Sequence, residues 1–321
     1  MKRIIAPVAV ALVMALLLTA PVTAGEAATR RATPGLDPSL GGGKAPVPTG
    51  ARFRVFILSG QSNMVGQGQA GELTEPYSKP HPRVRIWASG EWQYLVPSRR
   101  FGPEVGFAHT LAKAWPDDTI GIMKVAIGGT GILAFVPDWS KEQADRTGDG
   151  RKGPLYQRII GCLRDARKQG DFEVAGFVWK QGGKDMRNPE TAREYLGHFK
   201  QLVGGLRKDT GVANLPAFIS TYLTRAELEK TADDVQMKAL SRGRPGLVDV
   251  LRAHLDAADK IPHVVAVVHG RLPMRPDGIH FNTEGQLTQG RLLAEAVLAY
   301  TRDKATPHAG AGGRPTDTEA R

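Results

Sequence analysis

Four apolar segments of this chain end abruptly in short polar turns that contain glycine. An apolar run that stops in this way is typical of a strand buried on both faces of a parallel sheet. In parallel α/β sheets the turns after the strands lie along one edge, where such folds bind their ligands. This pattern restricts the fold class more than any other feature of the sequence. The four turns surround Ser62, Gly129, Gln181 and His280.

Predicted strands and helices alternate about five times between residues 52 and 302. The predicted core strands cover residues 55–58, 119–127, 174–180, 217–222 and 264–268. Segments with helical spacing of apolar residues separate them. The alternation predicts a single α/β domain in which a parallel sheet of roughly five strands carries helices on both faces.

The N-terminal 24 residues have the pattern of a signal peptide. Lys2 and Arg3 precede an apolar run over residues 4–20, and small residues follow up to Ala24. An uncleaved membrane anchor is the alternative, but the run is short for a spanning helix and ends at Pro21. We therefore expect a secreted or periplasmic protein with no stable membrane insertion after cleavage.

The segments that flank the predicted domain have little core-forming pattern. Residues 25–51 are rich in alanine, proline and glycine and are predicted to form a flexible linker, and residues 303–321 a disordered tail. The formal net charge is +11, but no basic cluster is interleaved with aromatic residues, so we predict no nucleic-acid binding. No metal-binding or dinucleotide-binding motif is present, so we predict no metal and no cofactor. Oligomeric state is left open.

Ser62 and His280 are the candidate nucleophile and base. A serine hydroxyl is a poor nucleophile until a base takes its proton, and imidazole titrates near neutrality. Asp277 lies three residues before His280, on a loop that contains Gly278, so one loop can present both side chains. The carboxylate would then orient the ring and stabilise its charged form. The same residues also allow a non-catalytic interpretation. Asp277 would then be a turn residue, His280 a surface histidine, and Ser62 or Asn63 a helix N-cap.

Acyl transfer also needs hydrogen-bond donors for the developing oxyanion. The backbone N–H groups of Ser62 and Gly129 can supply two, and the side-chain amide of Gln181 can supply a third. Alternatively, Gly129 belongs to an ordinary glycine turn and Gln181 is a polar residue that caps a strand edge. Four further polar residues are candidates for facing the substrate: Gln61, Asn63, Glu104 and Asp185.

The motifs around these residues occur in the order seen in SGNH-type hydrolases. They are Gly60-Gln61-Ser62-Asn63-Met64, Ala126-Ile127-Gly128-Gly129-Thr130, Trp179-Lys180-Gln181-Gly182 with Asp185, and Asp277-Gly278-Ile279-His280. From Arg52 to Tyr300 the chain resembles the sialate O-acetylesterase branch, carbohydrate esterase family 6, which includes acetylxylan esterases. One departure stands out: many members have glutamate after the Gln-Gly pair, where this chain has Gly183.

This resemblance implies a three-layer α/β/α domain with a flavodoxin-like sheet, and a metal-independent ester hydrolase. It implies Ser62 as nucleophile, His280 as base, Asp277 as orienting acid, and Ser62, Gly129 and Gln181 as oxyanion donors. If the missing glutamate assists the histidine in relatives, that task falls to Asp277 here.

We therefore expect an exported serine esterase that removes O-acetyl groups from a carbohydrate through an acyl-enzyme. Its substrate would be an acetylated glycan or a small ester, with specificity set by loops such as 66–82 and 133–153. A GDSL-like lipase or thioesterase is an alternative, as is a glycan-binding module with an eroded active site. Which sugar is used is left open by the sequence.

Overall fold

The computed structural model of the chain describes residues 36–305. The predicted signal peptide, residues 25–35 of the predicted linker, and residues 306–321 of the predicted tail lie outside the described residues. Across residues 36–305, no helix is both long enough and apolar enough to cross a membrane.

Strands and helices alternate along the described residues. The strands are β1 (Gly41–Lys44), β2 (Phe53–Gly60), β3 (Gly68–Gln69), β4 (Val84–Ala88), β5 (Glu91–Leu95), β6 (Arg100–Phe101), β7 (Thr119–Ala126), β8 (Glu173–Lys180), β9 (Ala217–Thr221) and β10 (Val264–Val268). The α-helices are α1 (Ser62–Val65), α2 (Glu104–Ala114), α3 (Lys141–Asp145), α4 (Leu155–Arg167), α5 (Pro189–Thr210), α6 (Arg225–Ser241), α7 (Leu247–Lys260) and α8 (Thr283–Ala305).

Within the described residues, the main sheet has eight strands in the order β1-β5-β4-β7-β2-β8-β9-β10. The six strands from β4 to β10 in this order are parallel. At the β4 edge, β5 pairs antiparallel with β4, and β1 pairs antiparallel with β5. The α/β prediction is confirmed. The sequence predicts roughly five parallel strands, and the sheet has six. The additional one is β4, which pairs in parallel with β7 and also forms a hairpin with β5.

Helices cover both faces of this sheet, which makes three layers. Along β2, Val55 and Ile57 belong to one core cluster, and Phe56 and Leu58 belong to the other. This alternation follows from the two-residue period of a strand. The first cluster packs against α4, α5 and α7, and the second packs against α2 and α8. Both faces of β2 are therefore buried, which explains its continuous apolar sequence.

The linker prediction is wrong for its C-terminal part. Gly41–Lys44 forms the edge strand β1, and the Leu40 side chain is only 1% exposed, inside a core cluster. The backbone N–H of Val96 donates to the carbonyl of Leu40, and that of Ala45 donates to the carbonyl of Trp92. A glycine-rich segment can make such backbone hydrogen bonds without a side-chain pattern, so its composition does not reveal the strand. At the other end, α8 continues to Ala305, three residues past the predicted boundary.

The burial of Leu40 gives a test of this edge. Leu40→Ala should lower the free energy of unfolding by about 2–5 kcal/mol, because it removes buried methyl groups and leaves a cavity. Urea denaturation of the purified protein measures the change. Lys44→Ala, at an exposed position of the same strand, is the control and should change the free energy by less than about 0.5 kcal/mol. Equal, small effects of both substitutions would contradict an ordered edge strand.

Candidate active site

Ser62 begins α1, with only Gln61 between it and the end of the central strand β2. Gly60 makes this sharp turn possible: its φ is +145°, and a Cβ there would lie 2.1 Å from the carbonyl oxygen of Lys180. Only glycine fits such a conformation and such a close approach. The turn places Ser62 in the lining of a cavity of about 690 Å³ at the carboxyl edge of the sheet.

The Asp277 carboxylate organises the loop that carries His280. Its Oδ1 accepts the backbone N–H groups of Ile279 (2.8 Å) and His280 (2.9 Å), and its Oδ2 lies 2.8 Å from Nδ1 of the His280 ring. The backbone N–H of His280 is the largest cause of a lowered pKa for Asp277, followed by the ring of His280. An ionised Asp277 keeps the ring proton on Nδ1, which leaves Nε2 with a lone pair that can accept a proton.

Asn63 joins the Ser62 turn to the His280 loop. Its Nδ2 donates to the carbonyl of Ile279 (3.0 Å), and its Oδ1 accepts the N–H of Phe281 (3.1 Å). Asn63 therefore brackets His280 from a position more than 200 residues away in the chain. Both Ser62 and His280 line the same cavity, and their catalytic roles stay predictions.

Two backbone N–H groups are free to stabilise an oxyanion. Within residues 36–305, no hydrogen-bond acceptor is found for the N–H of Ser62 or for that of Gly129. Both residues line the cavity, and Gly129 has a φ of +58°. The candidate nucleophile and two unpaired donors therefore face one space, which is the arrangement that acyl transfer requires.

Gln181 is not arranged as a third oxyanion donor, which corrects the sequence-based assignment. Its Nε2 donates to the carbonyl of Thr130 (2.8 Å) and to Oδ2 of Asp185 (2.6 Å), and its Oε1 accepts the hydroxyl of Tyr195 (2.6 Å). Because a carbonyl only accepts, the orientation of the amide is fixed by Thr130. Both N–H bonds of Gln181 are committed, so the side chain ties the Gly129 loop to β8.

Two of the four candidate substrate-facing residues are buried away from the cavity. Asp185 is fully buried and also accepts the backbone N–H of Ile132 (3.0 Å), and burial raises the pKa of its carboxyl to about 6. Glu104 is fully buried as well, where it pairs with Lys124 at 2.8 Å and accepts the N–H of Gly102. Their carboxylates serve internal hydrogen bonding, so the prediction that they face the substrate is wrong.

Gln61 and Asn63 do line the cavity. The Oε1 of Gln61 accepts the backbone N–H of Lys184 (3.1 Å), and Asn63 is engaged with the His280 loop as described above. A Cβ at Gly183 would come within 2.8 Å of Nε2 of Gln61, so glycine leaves room for this side chain. In the part of the chain that the structure describes, no group of three or more histidine, cysteine or acidic side chains could hold a metal ion.

The sequence analysis missed most of the side chains that shape the cavity wall. No residue of the loops 66–82 and 133–153 lines the cavity. The lining includes instead five polar or charged residues that the sequence analysis did not assign: Lys180, Lys184, Arg187, Tyr222 and Arg244. Lys180 carried a signal, because a charged residue ends an otherwise apolar strand. The others precede helices or follow a strand and have no distinctive pattern.

Comparison with known proteins finds similarity over most of the chain. Residues 52–299 match a protein-family model described as carbohydrate esterase, sialic acid-specific acetylesterase. A probable carbohydrate esterase from Arabidopsis thaliana is 27% identical over 292 residues, which cover 83% of this chain and 96% of that protein.

Solved structures support the fold. The crystal structure of an Arabidopsis thaliana protein superimposes with a TM-score of 0.60 at 24% identity and covers 77% of this chain and 98% of its own. The structure of a carbohydrate acetylesterase from Xanthomonas citri gives a TM-score of 0.55 at 19% identity, covering 77% of this chain and 57% of its own.

The Asp277–His280 contact gives a test of the site. Asp277→Asn should lower kcat for p-nitrophenyl acetate by roughly 10²- to 10⁴-fold. The Nδ2 of an asparagine can only donate to Nδ1 of His280, which would move the ring proton to Nε2 and remove the lone pair with which Nε2 acts as a base. Steady-state kinetics measure the loss. Asp165→Asn, at an exposed surface ion pair, is the control, and equal activity of the two variants would rule out an orienting role for Asp277.

Proposed function

Because this chain belongs to the sialic acid-specific acetylesterase family of carbohydrate esterases, we propose that it is a serine esterase that removes O-acetyl groups from a carbohydrate through an acyl-enzyme. The observation that carries the proposal is the hydrogen-bonded Asp277–His280 pair on the same cavity as Ser62 and two unpaired backbone N–H groups.

The reaction would proceed in two halves. In the first, Oγ of Ser62 attacks the acetyl carbonyl carbon while Nε2 of His280 takes the hydroxyl proton. The N–H groups of Ser62 and Gly129 stabilise the resulting oxyanion, and His280 returns the proton to the departing sugar oxygen. In the second half His280 deprotonates a water molecule, which attacks the carbonyl carbon of the acetyl-serine. His280 then returns the proton to Oγ of Ser62 as the ester bond breaks and acetate leaves.

Removal of the hydroxyl tests this mechanism. Ser62→Ala should lower kcat for p-nitrophenyl acetate by roughly 10⁴-fold or more, because no acyl-enzyme can form. A fluorophosphonate probe should label the parent protein at Ser62 and leave the variant unlabelled. Spectrophotometric assays and mass spectrometry of the labelled peptide give the two readouts.

Matched substitutions and substrates make the test decisive. Ser78→Ala, at an exposed serine outside the cavity, should keep full activity and labelling. An unchanged rate for Ser62→Ala would contradict the mechanism. Faster hydrolysis of octanoyl than of acetyl esters would favour a lipase or thioesterase, and glycan binding without labelling of the parent would favour an eroded binding module.

The charge of the cavity wall supports an acidic sugar as the substrate. Lys184, Arg187 and Arg244 line the cavity, and no aspartate or glutamate does so among the described residues. No side-chain partner is found within residues 36–305 for any of these three cations, and Nε of Arg244 is buried without a hydrogen bond. Unpaired cations around a cavity attract and bind carboxylates. We therefore propose an O-acetylated sugar that carries a carboxylate, such as a sialic acid.

Arg244 gives the test of this substrate class. Arg244→Gln should raise KM for an O-acetylated sialic acid by about 10- to 100-fold, because a charged hydrogen bond to the carboxylate is lost, and should change kcat little. KM for neutral acetylated xylo-oligosaccharides should stay the same. Arg242→Gln, at an exposed position two residues away, is the control and should behave as the parent. Equal effects of Arg244→Gln on acidic and neutral substrates would contradict an acidic substrate.

We also propose that the protein is exported. The support lies in the sequence: two basic residues precede the apolar run 4–20, and small residues end at Ala24. The presence of Cys162 as the single cysteine is compatible with export, because no internal disulfide is needed for a domain of this size.

A further inference from the structure

Lys180 is a buried cation directly beneath the proposed active site. It ends β8, one residue before Gln181, and it lines the cavity although it is only 4% exposed. Its Nζ has no carboxylate partner within residues 36–305. A buried ammonium group without a carboxylate is costly, so its surroundings should show what stabilises it.

Polar lone pairs and aromatic faces surround this ammonium group. Nζ lies 3.0 Å from Nε2 of His269 and 3.4 Å from the carbonyl oxygen of Ser220. It also lies 3.9 Å from the ring centre of Tyr222 and 5.5 Å from that of Phe281, within the range of cation–π attraction. Nδ1 of His269 faces the carbonyl of Gly270 at 2.8 Å and must donate to it, so Nε2 is left to accept from Lys180.

The two aromatic rings belong to the structure that holds the catalytic loop. Phe281 directly follows His280, and its backbone N–H donates to Oδ1 of Asn63. Tyr222 lines the same cavity as Asn63 and His280. His269 packs edge-on against both rings, with ring centres 4.8 and 5.5 Å away. The ammonium group therefore contacts the ring of the residue that follows His280 and the ring of Tyr222, which lines the same cavity.

We propose that Lys180 is a positioning residue for the esterase reaction: its ammonium charge draws the rings of Tyr222 and Phe281 together and thereby holds the His280 loop in its reactive position. The inference rests on the proposed function of the site. Under this proposal kcat depends on the charge of Lys180 and not only on its volume. The reason is that a base displaced by a fraction of an ångström transfers protons poorly.

The charge of Lys180 changes within the working pH range. Burial lowers its pKa to about 7, so the charge is present at pH 6 and is lost as pH rises above about 8. The titratable groups that face it are His269 from the loop after β10, His254 from α7 and Tyr222 from the turn after β9, with Arg244 beyond Tyr222. Burial keeps the pKa of both histidines well below 6.5 and raises that of Tyr222, so all three stay uncharged between pH 6 and 8.5.

The test compares kcat of the parent and of Lys180→Met between pH 6 and 8.5, with p-nitrophenyl acetate as the substrate. Methionine keeps much of the volume of lysine without the charge. We expect the parent to exceed the variant about tenfold at pH 6 with KM changed less than twofold, and the ratio of kcat values to approach 1 at pH 8.5. A lysine that only fills space would give a ratio independent of pH.

Several outcomes would overturn the inference. A ratio near 1 at pH 6, or a ratio that is constant across the range, shows that the charge of Lys180 plays no part. Lys180→Gln replaces the methionine variant if the latter does not fold, and the same ratio of kcat values is then compared. Lys260→Met removes an exposed lysine that pairs with Asp256, and its ratio to the parent should be 1 throughout. An inactive parent would instead contradict the proposed function, and the inference with it.

Discussion

Two hydrogen bonds from the side chain of Asn63 connect parts of the chain that are more than 200 residues apart. One reaches the residue before His280 and the other reaches the residue after it. The side chain of Asn63 therefore joins the turn that presents Ser62 to the loop that presents His280. The parallel sheet makes this contact possible, because the carboxyl ends of its strands lie along one edge. The proposed chemistry of the cavity depends on this edge of the sheet and on the two hydrogen bonds of Asn63.

A second network stabilises the middle of the edge. Gln181 links the carbonyl of Thr130, the carboxylate of Asp185 and the hydroxyl of Tyr195, and Tyr195 in turn accepts the indole N–H of Trp179. Buried polar groups are costly unless they are paired, and a paired network favours one arrangement of its members. The network therefore anchors the loop that carries Gly129 to the end of β8. The polar residues that look catalytic in the sequence thus include some that build the site without entering it.

The charges near the cavity follow a consistent division. Carboxylates at the site are either buried in hydrogen bonds, as for Asp185, or paired with His280, as for Asp277. Cations, in contrast, line the wall without acidic partners among the described residues, as for Arg244 and Lys184. Lys180 adds a buried positive charge, and aromatic rings and a histidine lone pair contact its ammonium group in place of water. An acidic substrate would meet an attractive field on entry and a negative charge only at the Asp277 side of the histidine.

By itself, the sequence determined the parallel α/β fold, because a run such as that of β2 is apolar on both faces and ends in glycine and polar residues. It also indicated Ser62, Asp277 and His280, because these residue types follow strands that share one edge. Only the tertiary structure decided that the N–H bonds of Gln181 are already used, that Glu104 is paired with Lys124, and that Leu40 belongs to the core. The reason is physical: periodicity reports which face of an element is buried, whereas the partner of a polar group depends on which distant segments meet it in three dimensions.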